Sequence, residues 1–300
     1  MPDKDFKSGF VTILGRPNVG KSTLLNALVK NKISIISPIP QTTRHQVKGI
    51  LNLSGAQVVF VDTPGIHSFK EKLASHLNTI ARRALDGCDL IIYVVDVSRR
   101  PGQEEEKLMD ILTRQKTKII IVLNKMDLGD NFLNDYVSLW ERRKVNQLLL
   151  CYMPLSAKTG KNIDKLEEVL VRNLPESLPY YDKDSLTDFP LKFRIADIIR
   201  EKLFLKLTEE LPHSLAVELE SMEDKKKVVY IKVAIYVQRD SQKKIVIGKK
   251  GALLKEVGKT ARLDIEKILG KKAFIDIWVK TLSDWQVRPR ILKELGYWWA

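Results

Sequence analysis

Residues 9–22 read GFVTILGRPNVGKS, a continuous apolar run that enters a glycine-bounded loop and leaves into the helical stretch TLLNALVKN. The loop fits G-x-x-x-x-G-K-[ST], and no other stretch constrains the fold as tightly. It requires a buried strand on one side and the N-terminus of a helix on the other. Four more apolar runs follow at 56–62 (AQVVFVD), 90–96 (LIIYVVD), 118–124 (KIIIVLN) and 148–156 (LLLCYMPLS), separated by helical patterns. Runs without polar alternation suit strands covered on both faces. The first half is therefore expected to be an α/β P-loop domain with a mainly parallel sheet.

The chemistry sits where those strands end. In the loop, the backbone N–H groups of Asn18, Val19, Gly20, Lys21, Ser22 and Thr23 would surround phosphate oxygens. Lys21 would reach the β and γ oxygens, and the Ser22 hydroxyl would ligate Mg²⁺. NKMD supplies Asn124, Lys125 and Asp127, whose carboxylate can accept two hydrogen bonds from the N1–H and 2-amino groups of guanine. Adenine offers no such pair, and an enclosed carboxylate left unpaired costs ~1–3 kcal/mol or more. SAK (Ser156, Ala157, Lys158) would bring the Ala157 N–H near the guanine O6. DTPG places Asp62 to hold Mg²⁺ through water and the Gly65 N–H to meet the γ-phosphate. Between them SPIPQTTRHQ reads as a switch loop in which Thr43, with Thr42 as the alternative, adds a hydroxyl to the Mg²⁺. GTP and GDP are the expected ligands, Lys21, Thr43 and Gly65 the expected catalytic groups, and Ser22, Thr43 and Asp62 the metal ligands. Asp96 is expected to cap the helix that follows it, and Glu104 to Glu106 suit a helix N-terminus.

These motifs, in order over residues 9–180, resemble the translation-factor-related class of GTPases. Ile66 stands where Ras-like members carry a glutamine that orients water. Because isoleucine neither donates nor accepts, the resemblance implies a slow intrinsic rate. Similarity to cation-activated members makes Asn18 a candidate K⁺ ligand.

Pro175, Pro179 and Pro190 punctuate a polar stretch that reads as a linker over about 173–190. It divides a G domain at 1–180 from a second domain at 181–300. Here the patterns run α-β-β-α-α-β, with Asp188 a candidate helix cap, and the turn between the two middle helices is IVIGKKG. This second glycine-lysine loop has neither the P-loop spacing nor a base-reading motif after it. With its continuation ALLKEVGKTARLDIEKILG it resembles the type II KH domain, an α+β fold, with the apolar flanks Ile245, Val246 and Ile247 as core. The resemblance implies that Ile247, Gly248, Lys249, Lys250 and Gly251 bind single-stranded RNA. Charge agrees: residues 225–280 hold 16 Lys and Arg against 5 Asp and Glu, within a chain of net charge +14. A basic patch this dense is the footprint of an anionic partner.

One G domain followed by a type II KH domain resembles the Era family. That likeness implies action in assembly of the small (30S) ribosomal subunit through the 3′ end of 16S rRNA. It also implies a cytoplasmic monomer, with possible peripheral contact at the inner face of the cell membrane. The alternative is a membrane-surface signalling GTPase whose basic half binds anionic lipid. No apolar run reaches the ~18–20 residues of a membrane span, and Cys88 and Cys151 lack metal-ligand spacing.

Overall fold

The computed structural model describes residues 5–39, 42–64, 79, 83–143 and 148–297. Gly65 and Ile66 lie outside them. The chain divides into two compact units, one of residues 1–34 and 43–188, the other of residues 35–42 and 189–300.

The first unit is built on a six-stranded sheet in the order β2-β3-β1-β4-β5-β6. The strands are β1 (Lys7–Leu14), β2 (Val47–Leu53), β3 (Ala56–Asp62), β4 (Leu90–Asp96), β5 (Lys118–Asn124) and β6 (Leu149–Pro154). All neighbours pair in parallel except β2 with β3. Every residue of β3 and β4 is buried, as their uninterrupted apolar sequences require. The helices are α1 (Lys21–Val29), α2 (Gln103–Leu112), α3 (Leu133–Glu141) and α4 (Ile163–Asn173). Leu108, Met109, Leu112, Tyr136 and Trp140 of α2 and α3 pack with Ile91, Tyr93, Val95, Ile119 and Ile121 in one core.

The antiparallel strand β2 is absent from the sequence expectation. It ends at the two-residue Ser54-Gly55 turn, with Gly55 at φ 78, which a run as short as GILNL does not advertise. The proline-rich stretch is no loose linker either. The Ile50 N–H donates to Leu186 O at 2.9 Å, Ser8 N–H to Pro175 O at 3.1 Å, and Ser177 N–H to Phe6 O at 3.0 Å. Gln57 Oε1 accepts from the N–H groups of Tyr180 and Tyr181. The strap satisfies backbone groups that an edge strand would otherwise present to other chains. Asp188 serves it, accepting from Lys48 Nζ and the Tyr181 hydroxyl, both at 2.8 Å, and does not cap the next helix, which starts behind Pro190.

The second unit pairs a three-stranded sheet, β7-β8-β9, with helices on one face. The order is α5 (Leu191–Phe204), a single turn α6 (Leu211–Ser214), β7 (Ala216–Lys225), β8 (Val228–Val237), α7 (Asp240–Ile247), α8 (Ala252–Leu269), β9 (Lys272–Thr281) and α9 (Pro289–Glu294). β7 and β8 are antiparallel, β8 and β9 parallel. Ile231, Val233 and Ile235 point into a core with Ile195, Ile199, Leu203, Val257, Ala261 and Ile265. Alternation leaves Tyr230, Phe274 and Trp278 exposed. Ile39, from the segment that joins this unit, packs against the same core.

A buried charge anchors α2. Glu105, 1% exposed, ion-pairs with Arg16 of the P-loop, and its Oε2 accepts the Gly102 N–H at 2.9 Å. Glu105→Ala strands the Arg16 charge and is expected to destabilise the first unit by about 2 kcal/mol. That is below the ~3–5 kcal/mol of a wholly buried pair, because Arg16 retains Glu104. The check is native-state hydrogen exchange of the β4 and β5 amides.

Candidate active site and basic groove

Because β1 lies between β3 and β4, the carboxyl end of β1 sits where the strand order reverses, the usual position of a binding crevice in a parallel sheet. The parallel strands end there in Leu14, Asp62, Asp96, Asn124 and Pro154, which brings the sequence motifs to one edge. The loop leaves β1 at Gly15 and enters α1 at Lys21, with Asn18 at φ 62 and Gly20 at φ 100. A Cβ on Gly20 would lie 2.3 Å from Asn124 Nδ2. Only glycine fits beneath that amide. The Val19 side chain is fully buried, and its carbonyl accepts from Asn124 Nδ2 at 2.8 Å.

Lys21 Nζ donates to Gly15 O at 2.9 Å and to Arg16 O at 2.7 Å. Burial pulls its ammonium down to about 8, against the opposing pull of Asp62. Burial also raises the Asp62 carboxyl above its ordinary value, with Lys21, Ser22 and Ser34 working the other way. Asp62 Oδ2 accepts from Ser22 Oγ at 2.8 Å and Ser34 Oγ at 3.0 Å, and Thr43 Oγ1 lies 3.0 Å from Ser22 Oγ. Thr42 turns away, its hydroxyl donating to Ile39 O at 2.5 Å. Asp62 Oδ1 is buried with no hydrogen-bond partner. A carboxylate oxygen left over beside two hydroxyls, with oxygen donors alone, fits a hard divalent cation such as Mg²⁺.

On the other side of the loop, the Asn124 amide is bound at both ends, Oδ1 accepting the Ala157 N–H at 3.0 Å. That N–H, expected near a guanine O6, is here the staple between NKMD and SAK. Ser156 Oγ donates to Asp127 Oδ1 at 2.6 Å and orients that carboxylate. Asp127 itself is exposed, not enclosed as expected, because it follows β5 in a short turn outside the sheet. Lys158 is exposed and Thr23 half-buried. Asp96 is not a helix cap. Its carboxylate accepts from Ser98 N–H, Ser98 Oγ and Lys125 Nζ, the last at 2.7 Å. Burial would raise it, but the Lys125 and Ser98 bonds prevail and hold it below the ordinary range. Its function is to hold Lys125, which sits at φ 67. Thr63 is a further positioning residue, donating to Ile13 O at 2.9 Å; its place inside DTPG was the available signal.

In the second unit, Gly248 to Gly251 form the turn between α7 and α8. Gly248 lies at φ 76, where a Cβ would come 2.7 Å from Leu253 Cβ. Lys250 adopts φ 50, and Lys249 and Lys250 are exposed. Ile247 is half-buried against the core and Val246 fully buried. Ile245, expected inside, is 57% exposed: α7 is amphipathic and shows that position to solvent. Beside the turn runs a groove of about 550 Å³ between α8 and β9, floored by Leu254, Ile275 and Ile277 and rimmed by Lys255, Lys259, Arg262 and Phe274. At Gly258 a Cβ would meet Ile277 Cδ1 at 3.4 Å, an ordinary contact. The sequence reading missed these rim residues, although Lys255, Lys259 and Arg262 recur at helical spacing on one face.

A family model described as 50S ribosome-binding GTPase matches residues 10–125, and a KH domain model matches 210–286. GTPase Era of Geobacter metallireducens is 42% identical over 301 residues, covering 99% of this chain and 100% of its own. A crystal structure of Aquifex aeolicus Era bound to GDP·AlF4⁻ superposes with a TM-score of 0.91 at 38% identity, covering 97% of this chain and 99% of that one. A crystal structure of Era with MgGDPNP and nucleotides 1506–1542 of 16S rRNA matches with the same TM-score, identity and coverage.

The expectation that Asp127 selects the base has a direct check. Asp127→Asn replaces an acceptor pair by a donor and an acceptor. It is expected to lower GTP affinity by about 100-fold or more, one hydrogen bond being lost and the other losing its charge, and to admit xanthosine triphosphate. Titrations with GTP, XTP and ATP measure this; GTP affinity equal to wild type would remove Asp127 from the base site.

Proposed function

Because the chain belongs to the Era family of GTPases, we propose that its first unit binds and slowly hydrolyses GTP while its second unit holds the 3′ end of 16S rRNA during assembly of the small ribosomal subunit. The support is chemical. Three oxygens from three separate motifs, Ser22, Thr43 and Asp62, meet beside a buried carboxylate oxygen that lacks a donor. A basic groove with a glycine-lysine turn lies in the other unit.

The P-loop amides of residues 18–23 and the Lys21 ammonium would neutralise the triphosphate, and Asp127 would select guanine. Ser22 and Thr43 would ligate Mg²⁺, with Asp62 holding it through water. When bound there, Mg²⁺ contributes charge stabilisation on the transferring phosphoryl group. The Gly65 N–H is assigned to the γ-phosphate by its motif. The Ile66 side chain has no group to orient water, from which a low basal rate follows. Asn18 is the one residue assigned to K⁺.

RNA would be held by its backbone at Gly248, Lys249, Lys250 and Gly251, with Lys255, Lys259 and Arg262 along the phosphates and bases over the apolar floor. At Gly251, φ is 77 and a Cβ would meet nothing within 4 Å. An aspartate there adds a negative charge and backbone strain at the RNA contact without a steric clash. Gly251→Asp is expected to weaken binding of a 16S 3′-tail oligonucleotide at least tenfold and to leave GTP hydrolysis unchanged. In the wild type, the logarithm of affinity should fall against log salt by ~0.7 for each phosphate engaged. RNA affinity unaltered by the substitution would overturn the groove assignment. Wild-type binding to anionic vesicles but not to the oligonucleotide would replace it with the membrane-surface reading.

A further inference from the structure

Thr42 and Thr43 are neighbours with different partners. Thr43 Oγ1 faces Ser22 Oγ at 3.0 Å. The Thr42 carbonyl accepts from Arg200 Nη2 at 2.9 Å. Arg200 is fully buried. Its Nη2 also pairs with Asp197 Oδ1 at 2.8 Å, and its Nη1 donates to the Tyr297 hydroxyl at 2.8 Å. The guanidinium carbon lies 5.7 Å and 5.9 Å from the ring centroids of Tyr297 and Phe204. The next residue of α5, Glu201, is also buried, and its Oε1 accepts the Ile36 N–H at 3.0 Å. Successive side chains of one helix thus hold Ile36 and Thr42, and Ile39 packs on the core.

A switch loop needs freedom, and this one is tied down by two buried charges. A buried arginine-carboxylate pair gives little stability over an apolar replacement, so core stability alone accounts poorly for Arg200. Its effect is directional. The peptide between Thr42 and Thr43 is planar, so a charge-assisted bond at the Thr42 carbonyl also orients the Thr43 N–Cα bond. A guanidinium can bond Thr42, Asp197 and Tyr297 at once through its rigid fork, which an ammonium does not reproduce.

We infer that Arg200, with Glu201, is a positioning residue for GTP hydrolysis: it holds the Thr42 carbonyl, and through that planar peptide the backbone of Thr43, so that the Thr43 hydroxyl is presented at Ser22 and Asp62. The inference rests on reading Thr43 as a Mg²⁺ ligand in the GTP complex.

The test uses the full-length chain with Arg200→Met and Arg200→Lys, Thr43→Ala, and the double variant Thr43→Ala/Arg200→Met. Affinities for Mg²⁺ with a non-hydrolysable GTP analogue and with GDP are measured, together with kcat at varied Mg²⁺. Arg200→Met is expected to lose about tenfold in analogue affinity and in kcat, to require more Mg²⁺ for half-maximal rate, and to keep GDP affinity within twofold. Arg200→Lys, which retains the charge and guards against misfolding of the first variant, should show the same selective loss to a lesser degree. The double variant should be no worse than Thr43→Ala, because groups acting in series are not additive. Additive losses, or equal losses for GDP and analogue, would mark Arg200 as merely structural and overturn the inference. Thr43→Ala without a selective effect would instead remove the metal-ligand reading beneath it.

Discussion

The side-chain amide of Asn124 is the joint on which the nucleotide site depends. It is almost wholly buried, and it binds Val19 O at one end and the Ala157 N–H at the other, so three sequence-distant loops meet in one group. An amide donates at one end and accepts at the other without carrying charge. Its replacement by leucine would leave a buried carbonyl and a buried N–H unpaired at once, each costing ~1–3 kcal/mol. Gly20 follows from the same joint, for the amide occupies the space a Cβ would take.

Around that joint the electrostatics are tuned by burial. Lys21 and Asp62 are each pushed toward neutrality by desolvation and each drawn back by the other. Both are also held by hydrogen bonds, Lys21 to two loop carbonyls and Asp62 to two hydroxyls. At the periphery Asp96 and Lys125 already satisfy each other, so that ion pair serves geometry.

Most of the fold and much of the candidate site are legible in the sequence. Continuous apolar runs ending in Asp62, Asp96 and Asn124 give the parallel strands, and the motifs that follow them converge because those strands share one sheet. The second unit is legible through the order of its elements and the GKKG turn. What the sequence conceals is longer-range. Strand β2 escapes because Lys48, Gly49 and Asn52 interrupt its apolar run. The strap over 175–188 looks like a linker because its hydrogen bonds are made by backbone, which composition does not report. Asp96 is misread because a strand-end aspartate has several local uses, and only the fold brings Lys125 to it. Arg200 gives no local signal at all: in a stretch such as ADIIREKLF an arginine reads as surface.

The grouping of residues 35–42 with the second unit bears on how freely the chain can change. A surface loop ordinarily absorbs an inserted residue at small entropic cost. This one does not, because its length is measured twice, once from α1 to Thr43 and once from the Ile36 N–H to the Thr42 carbonyl against α5. A one-residue insertion between those points would put one set of contacts out of step whichever set was kept. The two halves are for the same reason poorly separable. A fragment ending at residue 188 would carry Ile39 without its core, and one starting at 189 would carry two buried charges without the backbone groups they bind. The sequence boundary at 188 and 189 is therefore not the packing boundary, because residues 35–42 belong with the second unit.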